Sequence, residues 1–373
     1  VMDRTAETLQ LISEPERLIL NDELDLSGIQ NNFNSLLLSR FDGIDVGRDV
    51  FGALNQSYSE IIFEETNFQI YLNGSKIYEN NCRVKKFNTQ KPSPFSSFSS
   101  VVLRNIYLNN PICPLAFSNY NSDNRFESTL KIFNLDQERI NAEHVFSIVD
   151  SDDQIRPVIS KLYFHECSIR MDSYLINEFM FSNVRALYFN RSQIESVGMN
   201  LFVSMRHLKE INFIQMNFRE LFRSGRLVEV LNTINADERV LPKSLKKYFK
   251  VNFDFESSTF ELDDNDLCFY AMFPFDRAIA ITFQVSRMQI DAKTECSCSL
   301  VWFSLAYVMT GTPKSDSINA DCAVFSHEFN QTYSRCSFED KFRHCFPYAS
   351  SLSGREQFLL ANLNKILNPN EMN

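Results

Sequence analysis

Three segments near the middle of the chain repeat one apolar spacing at a near-constant interval, and this interval restricts the possible folds more than any other feature. ISKLYFHECSI sets Ile159, Leu162, Phe164, Cys167 and Ile169 at five fixed places. VRALYFNRSQI sets Val184, Leu187, Phe189, Ser192 and Ile194 there, and LKEINFIQMNF sets Leu208, Ile211, Phe213, Met216 and Phe218. From Leu162 to Leu187 is a step of 25, and from Leu187 to Ile211 a step of 24. Between the last two lie Ile194, Val197, Phe202, Met205 and Leu208, a spacing that fits neither a helical stripe nor plain strand alternation. One short strand per interval, followed by a looser apolar return, accounts for both halves.

That combination, a strand written LxxLxLxxNxL with a 20–29-residue period, is the coil of a leucine-rich repeat. Weaker copies flank the clear ones. YSEIIFEETNF offers Tyr58, Ile61, Phe63, Thr66 and Phe68, and FSSVVLRNIYL offers Phe98, Val101, Leu103, Ile106 and Leu108. Degenerate copies centre on Leu36/Leu38 and Leu130/Ile132, and later ones on Val251/Phe253 and Ile281/Phe283. Longer steps into Val101 and Val251 imply excursions from one face, and the polar stretches 88–100 and 119–124 suit such loops. The position that usually holds a laddering Asn is instead Thr66, Ile106, Cys167, Ser192, Met216 and Ser286. Phe63, Phe164, Phe189, Phe213, Phe253 and Phe283 share one strand position and are expected to stack as a spine.

The expected fold is therefore α/β: a leucine-rich-repeat solenoid with a curved parallel sheet on its concave face and irregular or helical returns outside. A solenoid exposes apolar ends and needs caps. Residues 1–57 read as an N-terminal cap with a first degenerate repeat, 58–290 as repeats with long insertions, 291–346 as a cysteine-rich C-terminal cap, and 347–373 as a tail. Composition agrees. Nine Gly and 35 Phe in 373 residues disfavour folds built on glycine turns, including phosphate-binding loops. The formal charge of −10 argues against nucleic acid, which needs a basic surface. No stretch reaches the roughly 18 apolar residues of a membrane span. The amphipathic start at Val1 carries no secretory leader, so an extracellular reading takes the leader as removed.

Five of the nine Cys, at 296, 298, 322, 336 and 345, crowd the last fifth of the chain. Cys296, Cys298 and the single Trp302 begin an apolar stretch that reads as a disulfide-knotted cap, drawing partners from Cys322, Cys336 and Cys345. Zinc is the rival, because His327 and His344 lie among these thiols, but its ligands usually come as C-x₂₋₄-C. Disulfides are favoured, and their connectivity is not readable from spacing. Cys82 and Cys113 flank one excursion and are candidates to staple it; Cys268 is a further disulfide candidate. Cys167 is expected as an inert buried thiol. Sequons make Asn55, Asn73, Asn190 and Asn330 candidates for glycosylation, and a sugar on Asn190 would stand on the concave face.

In the cap, CSCSLVW, Cys322, and SFEDKFRHC ending at Cys345 resemble the C-terminal caps of secreted arthropod leucine-rich-repeat proteins, and more narrowly the group named after the non-catalytic subunit of oplophorus-type luciferase. Cys296, Cys298, Trp302, Cys322, Phe338, Glu339, Asp340 and Cys345 carry the likeness, which with the repeats spans roughly residues 58–345. Many such proteins have an N-terminal cysteine cap, whereas this chain has no Cys before Cys82. The resemblance implies a secreted, non-enzymatic partner protein.

Motifs for catalysis are not found. The pairs His165-Glu166 and His327-Glu328 lack the second His of a zincin helix, and there is no G-x-S-x-G elbow or P-loop. On the outward side of the strands Tyr163, His165, Glu166 and Tyr188 are expected to share a patch, with Arg104 on the same face and Glu60, Glu64 and Glu65 at its acidic end. Aromatic anchors suit a protein interface; strand-favouring Tyr and solvated acids are the plainer account of the same residues. The expectation is a non-enzyme that needs no cofactor or metal and binds another protein, as a recognition or scaffold component, with homo- or hetero-oligomers open. A stabilising subunit of a secreted enzyme complex and innate-immune-type recognition of a microbial surface are the alternatives.

Overall fold

Residues alternating apolar and polar over five positions, with β-branched and aromatic side chains, close a strand that buries one face. The alternation is cleanest in β9 (Lys161–His165) and is less regular in the other repeat strands, β4 (Ser35–Ser39), β6 (Tyr58–Glu64), β7 (Phe98–Arg104), β8 (Thr129–Phe133), β11 (Ala186–Asn190) and β13 (Glu210–Ile214). Before them stand β1 (Met2–Thr5), β2 (Thr8–Ile12) and β3 (Arg17–Leu20), and β5 (Gly43–Val46) follows β4. β10 (Ser168–Met171) and β12 (Gln193–Val197) follow β9 and β11. β14 (Phe249–Asp254) and β15 (Ile279–Gln284) come last.

This computed structural model describes residues 2–5, 8–12, 17–20, 34–41, 43–46, 58–66, 93, 95–108, 111–117, 120, 127–135, 145–146, 158–198, 205, 207–216, 249–254, 267, 279–284, 296–299, 301–302, 327–338 and 340–341. Strands β1, β2, β5 and β15 are described by their backbone. The expected tail at 347–373 lies outside these residues. Two compact units divide the chain: Val1–Phe213 with Thr233–Lys243, and Ile214–Asn232 with Ser244–Asn373.

In the first unit the sheet runs β1-β2-β4-β6-β7-β8-β9-β11-β13. β1 is antiparallel to β2; from β2 through β11 each strand pairs parallel with the next. Parallel neighbours cannot be joined by a hairpin, so each strand must be followed by a return path across the back. The returns differ from the irregular or helical expectation. Several carry extended backbone of their own: β3 pairs parallel with β5, β10 with β12, and Ile112 bridges Phe146. The helical pieces are small, a 3-10 turn at Pro114–Phe117 and α1 (Glu178–Phe181), which Asn177 caps by accepting from the Met180 N–H. The result is a repetitive, mostly parallel sheet with few helices.

Register places Leu38, Phe63, Leu103, Ile132, Phe164 and Phe189 in one buried row. Phe164, Phe189 and Phe213 stack face to face at 5.5 and 5.6 Å. The expected six-ring spine is thus corrected to a mixed row. Phe63 is cut off from Phe164 by Leu103 and Ile132, and packs edge-on against Phe95 at 6.0 Å instead. Phe253 and Phe283 are register partners in the second unit, but their rings lie outside the described residues. Part of the Phe excess fills the return path, where Phe95, Phe117 and Tyr120 form a chain of ring contacts and Phe146 meets Phe181 at 5.2 Å.

The turns after the strands show how three of the repeats hold without the usual Asn, while Ile106 and Met216 bring no hydroxyl or thiol to the same position. Two residues past the buried row the backbone enters the left-handed region at Arg40, Glu65, Asn105, Asn134, Glu166, Arg191 and Gln215, with φ between 48° and 65°. From Arg40 to Glu166, each of these N–H groups donates to the last strand carbonyl of the following coil: Arg40 to Glu64, Glu65 to Arg104, Asn105 to Phe133, Asn134 to His165 and Glu166 to Asn190. One residue on stands the departed Asn position. There the Thr66 hydroxyl accepts from Phe41 N–H and donates to Glu64 O. Cys167 Sγ does the same with Leu135 N–H and His165 O, and Ser192 Oγ with Cys167 N–H and Asn190 O. A hydroxyl or thiol carries both a donor and an acceptor, so it can replace the amide. Burial pushes the Cys167 thiol up to about 11, and it is an unpaired, buried cysteine, as expected.

Not one of the seven left-handed residues is glycine, although an L side chain there costs roughly 1–2 kcal/mol. A β-branched residue is the worst choice. Asn105→Val should therefore be less stable than Asn105→Gly by about 1–2 kcal/mol, read from urea midpoints. Both variants lose the Asn134–Asn105 side-chain hydrogen bond at 2.7 Å, so their difference isolates the backbone. Equal midpoints would remove left-handed strain from the account.

In the second unit β14 and β15 pair parallel, and α2 (His327–Cys336) buries Phe329, Thr332 and Cys336 along one face. Ser337, at φ 42°, ends that helix in the left-handed conformation common at helix C-termini. Cys336 is bonded to Cys298, and Trp302 and Tyr333 both pack against Phe338. No helix among the described residues is long and apolar enough to cross a membrane.

Candidate interaction face

Side chains between the buried ones point away from the core, and the parallel register lines them up across strands. Lys131, Tyr163 and Tyr188 form one outward row; Glu64, Arg104, Phe133, His165 and Asn190 form the next. Contacts run along both. Arg104 pairs with Glu64 at 3.1 Å while its guanidinium sits 5.1 Å over the Phe133 ring. Phe133 in turn meets the His165 ring at 4.9 Å, and His165 Nε2 lies 3.5 Å from Glu166. In the adjoining row the Tyr163 and Tyr188 rings are parallel, 4.0 Å apart. Burial raises the Tyr163 phenol, and the neighbouring Tyr188 raises it further, so Tyr163 stays protonated.

The structure places Arg104, Tyr163, His165 and Tyr188 on one face, in two adjoining rows. The ring contact of His165 is with Phe133, and the two phenols contact each other. Glu65 and Glu166 occupy the left-handed turn at the rim, where Glu65 pairs with Arg40 and Glu166 with Arg191. The acidic end is not a free negative patch, since Glu60 pairs with Lys131 and Glu64 with Arg104. Exposed pairs of this kind add little stability; their effect is to leave a face of mixed charge around an aromatic centre.

Phe133 and Lys131 were not singled out from sequence. They sit in a degenerate repeat, yet a Phe at an outward position beside buried Ile132 was the available signal. Asn190, the glycosylation candidate on this face, is half-buried, with a buried Oδ1 that has no hydrogen-bond partner among the described residues. Asn330 is exposed on α2. Asn55, Asn73, Cys82, Cys268, Cys322 and Cys345 lie outside the described residues. Besides the Cys298–Cys336 bond, Cys113 and Cys296 are disulfide-bonded. A cystine sulfur has no thiolate to offer zinc, so Cys296, Cys298 and Cys336 of the cap are unavailable for that alternative. No protein-family model matches this chain, and no curated protein matches it.

Proposed function

We propose that this chain is an extracellular leucine-rich-repeat protein that binds another protein non-covalently through the outward face of β7, β8, β9 and β11. The observation that carries this reading is the continuous line from Glu64 through Arg104 and Phe133 to His165, beside the Tyr163–Tyr188 stack. Arg and Tyr dominate the binding energy of protein interfaces, and a few such anchors typically outweigh the rest of the contact. Cystines at Cys298–Cys336, Cys113 and Cys296 support an oxidising compartment. The cap resemblance favours one version of this function, a stabilising companion of a secreted enzyme.

The test compares wild-type protein with Phe133→Ala, Tyr188→Ala and, away from the face, Tyr107→Ala at a site 65% exposed. Binding partners from the native secretion should be held equally by wild type and Tyr107→Ala. Phe133→Ala and Tyr188→Ala should weaken them by about 2 kcal/mol or more, roughly 30-fold, while circular dichroism stays unchanged. A catalytic companion in fixed ratio would support the subunit version, and binding to microbial polysaccharide the recognition version. Equal retention by all four proteins would move the interface elsewhere.

A further inference from the structure

Two phenols at matched positions of adjacent coils, stacked in parallel, have a chemistry that docking does not use. We propose that Tyr163 and Tyr188 are a site of oxidative cross-linking, joined to dityrosine within one chain by a peroxide-driven one-electron oxidant. Their backbones are register partners on neighbouring strands, so the two side chains leave the sheet in the same direction from fixed origins. The ring centroids lie 4.0 Å apart and the planes are 6° from parallel, a stack in which the ring carbons of the two phenols face each other. Phenoxyl radicals couple through their π faces, so this is the geometry from which the bond forms. Both phenols are half-buried on the outward side of the sheet, so each keeps some exposure to small oxidants.

The chemistry balances. Each phenol gives up one electron and its O–H proton, and the two radicals form one C–C bond between ortho carbons. The two ortho hydrogens then move to the oxygens, restoring both aromatic rings and both hydroxyls. Hydrogen peroxide, acting through a haem peroxidase, accepts the two electrons and two protons and leaves as two waters. The link would tie β9 to β11 covalently on the outward face, adding a bond to the ring contact and the phenol–phenol hydrogen bond already there.

The experiment treats dilute full-length protein with a haem peroxidase and limiting hydrogen peroxide, then digests it with trypsin. Cleavage after Lys161, Arg170, Arg185 and Arg191 releases LYFHECSIR and ALYFNR. The expected product is these two peptides joined, lighter by two hydrogens, from protein that remains monomeric and has gained dityrosine fluorescence. Tyr163→Phe and Tyr188→Phe, which keep the stacked rings, should each abolish it. A variant carrying Tyr107→Phe and Tyr174→Phe should retain it, although these wild-type phenols are the more exposed. Dityrosine found only between molecules, or only through Tyr107 or Tyr174, would overturn the proposal. So would oxidation of Tyr163 and Tyr188 without the joined peptide. These outcomes are independent of whether the face binds a partner.

Discussion

Phe189→Ala is expected to destabilise the first unit by about 3–5 kcal/mol, the cost of emptying a large buried aromatic site. Phe189 is fully buried and is the middle ring of the stack, with Phe164 at 5.5 Å on one side and Phe213 at 5.6 Å on the other. Alanine removes both ring contacts and leaves a void between strands whose spacing is fixed by the sheet, so collapse is limited. A control exists within the fold. The same row already accepts Leu103 and Ile132, so Phe189→Leu should cost no more than about half as much. Urea unfolding followed by circular dichroism measures both. A loss near 1 kcal/mol for alanine would mean that the row is not a packed core.

The second large effect lies in the other unit. Replacing Cys298 and Cys336 together by alanine opens a loop of 38 residues, for which chain entropy gives about 4 kcal/mol. Mutating both avoids leaving a buried thiol with reactive chemistry of its own. Trp302 is the only tryptophan, buried and packed on Phe338, so its fluorescence reports this unit selectively. Its unfolding midpoint in guanidinium should fall sharply in the double variant, and reducing agent should produce a drop in the parent protein. A midpoint that does not move would show that the cystine contributes nothing to the unfolding equilibrium.

The strands were legible because burial of one face imposes alternation, and alternation repeated at a fixed interval is hard to obtain otherwise. Leu162/Phe164, Leu187/Phe189 and Ile211/Phe213 all lie on strands, and so do the weaker Leu36/Leu38 and Leu130/Ile132. The turn was not legible. Its left-handed residue is Arg, Glu or Gln in five of the seven turns, side chains whose identity gives no sign of φ; only Asn105 and Asn134 are of a type that favours it, and the glycine that would have marked the turn is missing. The ladder was hidden for a related reason. Thr66, Cys167 and Ser192 share no sequence symbol with Asn, though all can donate and accept. The return strands β10 and β12 are four or five residues long, too short for period alone to distinguish from loop. For the face, outward positions followed directly from the strand assignment, so Arg104, Tyr163, His165 and Tyr188 could be placed on it from the sequence. Which neighbour each would touch depended on rotamers and on the spacing between coils.

The identity of the turn from coil to coil has a consequence for how such a chain can change over generations. From Arg40 to Glu166 each turn satisfies the next by the same donor and acceptor, so removing the 25 residues 164–188 would bring Tyr163 against Phe189 in an unbroken phase. Deleting a single residue from within a strand would instead throw that strand's remaining side chains onto the wrong surface. Length can therefore drift by whole modules at little penalty, while smaller insertions are confined to the loops behind.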